Sequence, residues 1–185
     1  MAAGKFITLV ILISVLNNSN APGNNNLHFK YSETANNFLD TNAKIADIAD
    51  IIESAGKIID GDIVKAERKF KKNILIWKIN VLMSSGGFVN MELSAADKKI
   101  LQIEAEEGPF EYELTPADGI ITFNSAKKKS EEHSGQKILK WNLKQNKDKF
   151  EYSFWMFTKS GKAQVKIDAE SGDLILNSKN SRKKK

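Results

Sequence analysis

A strict two-residue alternation near the C-terminal end limits this chain more than any other feature. In Lys159–Leu176, Ala163, Val165 and Ile167 alternate with Lys162, Gln164 and Lys166, the period of a strand with one buried face. Asp168–Gly172 then supplies a tight turn in which Gly172 can take the positive φ that a hairpin needs, and Asp173–Leu176 begins a return strand. A weaker version of the pattern lies 74 residues upstream: Gly61 aligns with Gly135, Val64 with Ile138, Gly87 with Gly161, Leu93 with Ile167 and Ile100 with Leu174. Trp77 falls one residue out of step with Tyr152. A spacing held over this many positions points to duplication of one supersecondary unit.

The elements around the two hairpins follow from periodicity. Thr41–Ala55 reads as a helix capped by Thr41, with Ile45, Ile48, Ile51, Ile52 and Ala55 on one stripe and Gly56 as its stop. Strands are expected at Ile63–Lys69, Leu75–Met83, Phe88–Leu93 and Ile100–Glu104. Residues 105–119, broken by Gly108, Pro109 and Pro116, form a junction in which Phe110, Tyr112 and Leu114 alternate with Glu111 and Glu113 as one more short strand. A second helix starts after the N-cap Thr122 and turns Phe123, Ala126 and Ser130 to one face; strands follow at 137–143, 149–157 and 162–167, with a last one after Gly172. The fold class expected is α+β, as two repeated units (42–104 and 120–176), each a helix packed on a three- to four-stranded antiparallel sheet.

The flanks carry different information. Residues 1–21 have the three parts of an export signal: Lys5, the apolar run Phe6–Leu16, and a polar stretch ending in the small residues Ser19 and Ala21. The run is too short for a membrane-spanning helix, which takes about 20 residues. Pro22 directly after Ala21 is unfavourable for cleavage there. Residues 22–41 form a linker and N-terminal segment: Pro22–Asn26 is polar and without period, and Leu27–Asp40 is expected to be helical from about Ser32, with Ala35, Phe38 and Leu39 as a short apolar stripe. The net charge of +5 comes from the tail at 177–185, which holds five of the 28 Lys and Arg and no acid; the rest balances 23 basic against 23 acidic residues. A neutral body argues against nucleic acid as a partner, while the tail offers weak contact with an anionic membrane, worth about 1 kcal/mol per basic residue near the surface. Periplasmic or secreted localisation is the expectation.

The second unit resembles a PepSY domain. The likeness rests on Ala126-Lys127-Lys128 in the helix, on the aromatic Tyr152 within Phe150–Phe154, and on the closing hairpin Val165–Leu174 with its Asp168-Ala169 and Gly172. The first unit matches less well, with Ser94-Ala95-Ala96 in place of Asp-Ala and Lys98 in place of the turn glycine. Together the units span roughly two-thirds of the chain. The resemblance implies a fold more than an activity. Such domains are similar to segments in propeptides of thermolysin-type metallopeptidases and in cell-envelope proteins, and inhibition or control of a peptidase has been proposed for them; no catalytic residue comes with the likeness.

The residues themselves offer little chemistry. With no cysteine and two histidines, His28 and His133, the chain lacks the ligand spacing of a transition-metal site. No G-x-S-x-G motif places a serine nucleophile. Asp168, Glu170 and Asp173 superficially suggest calcium, but Asp173 and Lys179 stand where an EF-hand loop needs Gly and Glu. Turn chemistry accounts for them better. The acids at Glu104, Glu106, Glu107, Glu111 and Glu113 read as a solvated face. No catalytic residue, metal or cofactor is expected.

One anomaly remains, in strand 149–157. If Phe150, Tyr152, Phe154 and Met156 face the helix, then Trp155 and Phe157 point to the opposite face, where a one-sided sheet is normally polar. Either the other unit or the strand at 110–114 covers them, or they form a partner-binding surface. The function expected is thus an exported, non-enzymatic binding or regulatory protein. It would act by non-covalent recognition of a protein partner at the cell envelope, with control of a peptidase as one form. A structural or assembly module of the envelope is the alternative. The export pattern makes a direct prediction: the native protein's intact mass corresponds to a chain beginning near Pro22, recovered outside the cytoplasm. Full-length chain in the cytosol contradicts it.

Overall fold

The computed structural model describes residues 45–71, 73–158 and 161–175, together with the backbone of 9–12. Ten elements follow the order β1 (Leu9–Leu12), α1 (Ile48–Ile58), β2 (Asp62–Lys71), β3 (Ile74–Leu82), β4 (Phe88–Ser94), β5 (Ile100–Ala105), α2 (Phe123–Ser134), β6 (Ile138–Asn146), β7 (Lys149–Thr158) and β8 (Gly161–Asp168). All eight strands belong to one antiparallel sheet in sequence order, and the seven from β2 to β8 span residues 62–168.

The pairing register explains how a single sheet forms. Reading directly across the strands, Ala66, Ile79, Met91, Ile103, Leu143, Tyr152 and Ile167 lie in one row. Every member of that row is fully buried. Period-two alternation carries the same apolar face through Trp77, Val81, Val89, Leu93, Trp141, Phe154, Met156 and Val165. Both helices cover this inner face.

The expectation of two separate helix-on-sheet units is corrected here. The helix-then-strands order occurs on both sides of the junction, but β5 and β6 are paired to each other, with Gln102 opposite Lys144, Ile103 opposite Leu143, Glu104 opposite Asn142 and Ala105 opposite Trp141. Two separate sheets would have left two further rows of unpaired N–H and C=O groups at β5 and β6, an arrangement that favours pairing with any available edge. Alternation along a strand reports which face is buried. It says nothing of which strand lies alongside, and this is why the sequence pattern did not reveal the join.

The helices also differ in detail. The first begins at Ile48, because Asp47 is the N-cap and its carboxylate accepts the Asp50 N–H at 2.9 Å. Just before it, Ala46 donates its N–H to Ala95 O at 2.8 Å. The Thr41 cap expected from sequence lies outside the described residues. Gly56 does not stop α1, which runs on to Ile58 and ends because Ile59 is extended and bridges to Leu114. Ile48, Ile51, Ala55 and Ile58 are its buried stripe. The second helix matches expectation: Thr122 caps it by accepting from Ser125 N, and Phe123, Ala126 and Ser130 are buried.

The junction supplies a tie and no full strand. Leu114 makes one bridge with Ile59, Thr115 N–H donates to Ile58 O, and Phe123 N–H donates to Leu114 O. Phe110 and Leu114 are buried in the same core. Tyr112 stacks on Phe123 at 5.3 Å and accepts a hydrogen bond from Trp141 Nε1 at 2.9 Å, while Tyr152 OH donates to Ile121 O at 3.0 Å. Burial raises the pKa of both phenols above the usual tyrosine range, so they stay neutral, as donation by Tyr152 requires; the Trp141 hydrogen bond opposes the shift at Tyr112, and burial outweighs it. Among the described residues the strand expected after Gly172 is likewise a bridge between Leu174 and Ile167. Gly172 has φ +75°, as the turn needs. Gly61 has a different reason to be glycine, since a Cβ there would lie 2.6 Å from Val81 Cγ1 and 2.9 Å from Leu82 O.

The export signal, linker and basic tail lie outside the described residues, except that 9–12 pair with Lys65–Arg68 as β1. Trp141 joins the β5–β6 seam, the junction and α2, so Trp141→Ala is expected to cost about 3–5 kcal/mol. Denaturant unfolding of both proteins checks this, with one shared transition; a loss below about 1 kcal/mol contradicts it.

Candidate functional site

The same register defines the uncovered side of the sheet. Residues alternating with the buried rows include Glu67, Lys78, Glu92, Gln102, Lys144 and Glu151, which lie opposite one another across six strands. Cross-strand and near-neighbour ion pairs hold many of these side chains: Glu67 with Lys69 at 2.6 Å and Lys65 at 3.2 Å, Glu151 with Lys166 at 2.5 Å, and Glu92 with Lys71. Asn80 Nδ2 donates to Asn90 Oδ1 at 2.7 Å. Such a face suits water.

Trp155 and Phe157 interrupt it. Tyr152, Phe154 and Met156 are fully buried on the inner side, so alternation turns Trp155 and Phe157 outward, as the sequence led us to expect. Among the described residues neither the junction nor the first half of the chain covers them, because Phe110 and Leu114 sit in the core on the opposite side and the sheet continues sideways. Covering by another unit, one of the two arrangements considered from sequence, is therefore not found among the described residues. Trp155 is half-buried and Phe157 is 55% exposed.

Lysines frame both rings. Trp155 pairs across β7 with Lys140 on one side and Gln164 on the other, and Phe157 pairs with Lys162. Lys140 Nζ lies 5.8 Å from the Trp155 ring centroid, and Lys162 Nζ lies 5.8 Å from that of Phe157, both within cation–π range. Lys140 also pairs with Glu106, whose carboxyl is held below the usual range by that hydrogen bond. The corner thus combines exposed aromatic area with positive charge, of which the Lys140 part is already paired with Glu106.

Sequence reasoning missed two further outward apolar residues, on β3 and β4. Phe88, 52% exposed, and Leu82 lie opposite each other on the same outer face and at the same end of the sheet. The signal was present: with Val89, Met91 and Leu93 pointing inward, Phe88 must point outward.

The candidate chemical groups remain dispersed. His133 sits in the last turn of α2, and His28 lies outside the described residues. Asp168 Oδ1 accepts the N–H groups of Glu170 and Ser171, each at 3.0 Å, and these bonds lower its pKa; this is the turn chemistry expected. Among the described residues no group of three or more His, Cys, Asp or Glu is placed to hold a metal ion. Glu113 accepts from Leu114 N and Asn124 Nδ2, and Glu104 accepts from Gln102 Nε2. A cleft of about 620 Å³ opens on the helix side, floored by Ile58, Ile100, Ile120 and Phe150. Its lysines are already paired, Lys57 with Glu53 at 2.6 Å, Lys98 with Asp50 at 3.8 Å and Lys99 with Asp97 at 2.9 Å. Asp118, Gln145, Asp148 and Glu170 also line it; the aromatic corner, with its exposed rings, is the stronger candidate.

No helix among the described residues is long and apolar enough to cross a membrane. No family model and no curated protein matches the chain. Among solved structures, a candidate lipoprotein from Clostridium difficile 630 aligns at 17% identity over 74% of this chain and 94% of its own length, with a TM-score of 0.34.

Proposed function

We propose that this is a non-enzymatic recognition protein of the cell envelope, and that its contact surface is the outer corner of the sheet around Trp155 and Phe157. The observation that carries the reading is their position. Two adjacent outward aromatics, one of them 55% exposed, stand on a face built mainly of paired charges, with Phe88 and Leu82 on other strands at the same end. Fully burying such side chains is worth roughly 1.5–3 kcal/mol each, a contribution this fold leaves largely unused at Phe157. Aromatic anchors ringed by polar groups are the usual make-up of an interface centre. The envelope location rests on the signal-like pattern of residues 1–21. Likeness of 120–176 to PepSY domains favours a binding role, with control of a peptidase as the form to look for.

Affinity capture from an envelope extract tests the reading, with wild type, Trp155→Ala and Phe157→Ala as baits. Phe157→Ala is expected to change stability by no more than about 0.5 kcal/mol, and each variant to weaken partner binding by about 2 kcal/mol or more. Undiminished capture by both variants contradicts the reading. A captured peptidase supports the regulatory form, and a structural envelope complex supports the alternative of an assembly module.

A further inference from the structure

Beside the aromatic corner lies a strand edge that is only half used among the described residues. Asp168 N–H donates to Asp173 O, and Ile175 N–H donates to Lys166 O. Residues 173–175 therefore dock antiparallel along the far end of β8. These bonds also show which way the backbone of β8 points: at 166 and 168 the polar groups face away from β7. By the two-residue repeat, the N–H and C=O groups of Lys162 and Gln164 face the same way. No described strand pairs with that stretch, and Lys162 and Gln164 are exposed.

We infer that the outward edge of β8 at Lys162 and Gln164, with which no described strand pairs, is a strand-addition site, taking an extended partner segment that alternates acidic and apolar side chains. The inference rests on the recognition reading above and names how that partner is held. Main-chain bonds to Lys162 and Gln164 would supply affinity, and side chains would supply specificity. The alternation follows from the two faces of the strand. On the inner side an added strand meets Ala163, packed against the core, and the buried Val165. These call for apolar neighbours. On the outer side it meets Lys162 and lies beside Phe157 and Trp155, with Lys140, already paired with Glu106, one strand further in. The Lys162 ammonium calls for a carboxylate.

Charge argues against two other occupants. Extending the register of 173–175 along β8 would place Lys179 of this chain opposite Lys162, a like-charged pair. A second copy joining through the same edge would bring its own Lys162 and Lys166 to the seam, again like beside like. An acidic segment from a different protein meets neither penalty.

The test uses the full-length, isotope-labelled protein and two blocked nine-residue peptides, one alternating Glu with Val and one alternating Lys with Val. The Glu/Val peptide is expected to slow amide exchange at Lys162 and Gln164 at least tenfold and to change Trp155 fluorescence, and the Lys/Val peptide to do neither. Gln164→Pro removes an outward N–H and no ladder bond, so an edge position tolerates it; it is expected to weaken Glu/Val binding at least tenfold with an unchanged melting temperature. Lys162→Glu should reverse the preference between the peptides. No binding of the Glu/Val peptide, or equal binding by Gln164→Pro, overturns the inference. Protection of the Lys162 and Gln164 amides in the free protein would assign the edge to this chain's own residues and overturn it as well. A fluorescence change at Trp155 without amide protection would remove strand addition alone and leave recognition at the corner standing.

Discussion

Four residue pairs between β5 and β6 hold the architecture together. Gln102 with Lys144, Ile103 with Leu143, Glu104 with Asn142 and Ala105 with Trp141 convert what would be two small sheets into one. A small sheet with one helix buries little apolar surface, and its edges remain open to other chains. Joined at this seam, the buried row from Ala66 to Ile167 becomes continuous, and two helices and the junction share one core. The aromatic group of Tyr112, Phe123, Trp141, Phe154 and Tyr152 forms where the junction crosses that core near the seam.

Joining the sheet also determines what remains outside. Among the described residues the cover lies on one side, because both helices and the junction pack against the same face. The opposite face carries lysine–carboxylate and asparagine pairs over most of its width, with Glu67 and Ser153 buried within it. At the end formed by the close of β7 and the start of β8, the pattern changes to Trp155 and Phe157 beneath Lys140 and Lys162. The fold places that corner and the outward edge of β8 at Lys162 and Gln164 side by side, so a side-chain surface and a main-chain edge are offered together. Recognition by both at once would hold a linear segment more firmly than either alone.

Much of this was legible in the sequence, for reasons specific to each part. The helix of Phe123, Ala126 and Ser130 was readable because a Thr cap and a three-to-four-residue repeat report local geometry. The outward direction of Trp155 and Phe157 was readable because strand alternation is also local. The β5–β6 pairing was not, since it depends on two strands separated by the junction and α2, and neither carries a mark naming its neighbour. The start of α1 was misread because Thr41 and Asp47 are both good caps, and the Ala46–Ala95 hydrogen bond that selects the later one is a tertiary contact. The outward edge of β8 at Lys162 and Gln164 was hidden for the same reason: a return strand after Gly172 was expected at full length, and only the Leu174 bridge forms among the described residues.

Native-state amide exchange across the seam tests the central claim most directly. In one continuous sheet, the paired amides of Gln102–Ala105 and Trp141–Lys144 open only with global unfolding, so their opening free energies equal the stability from denaturant melts and match those of β3 and β7. Exchange at these positions orders of magnitude faster than in β3 and β7 would mean that β5 and β6 are sheet edges. The one-sheet account, and the open face derived from it, would then be wrong.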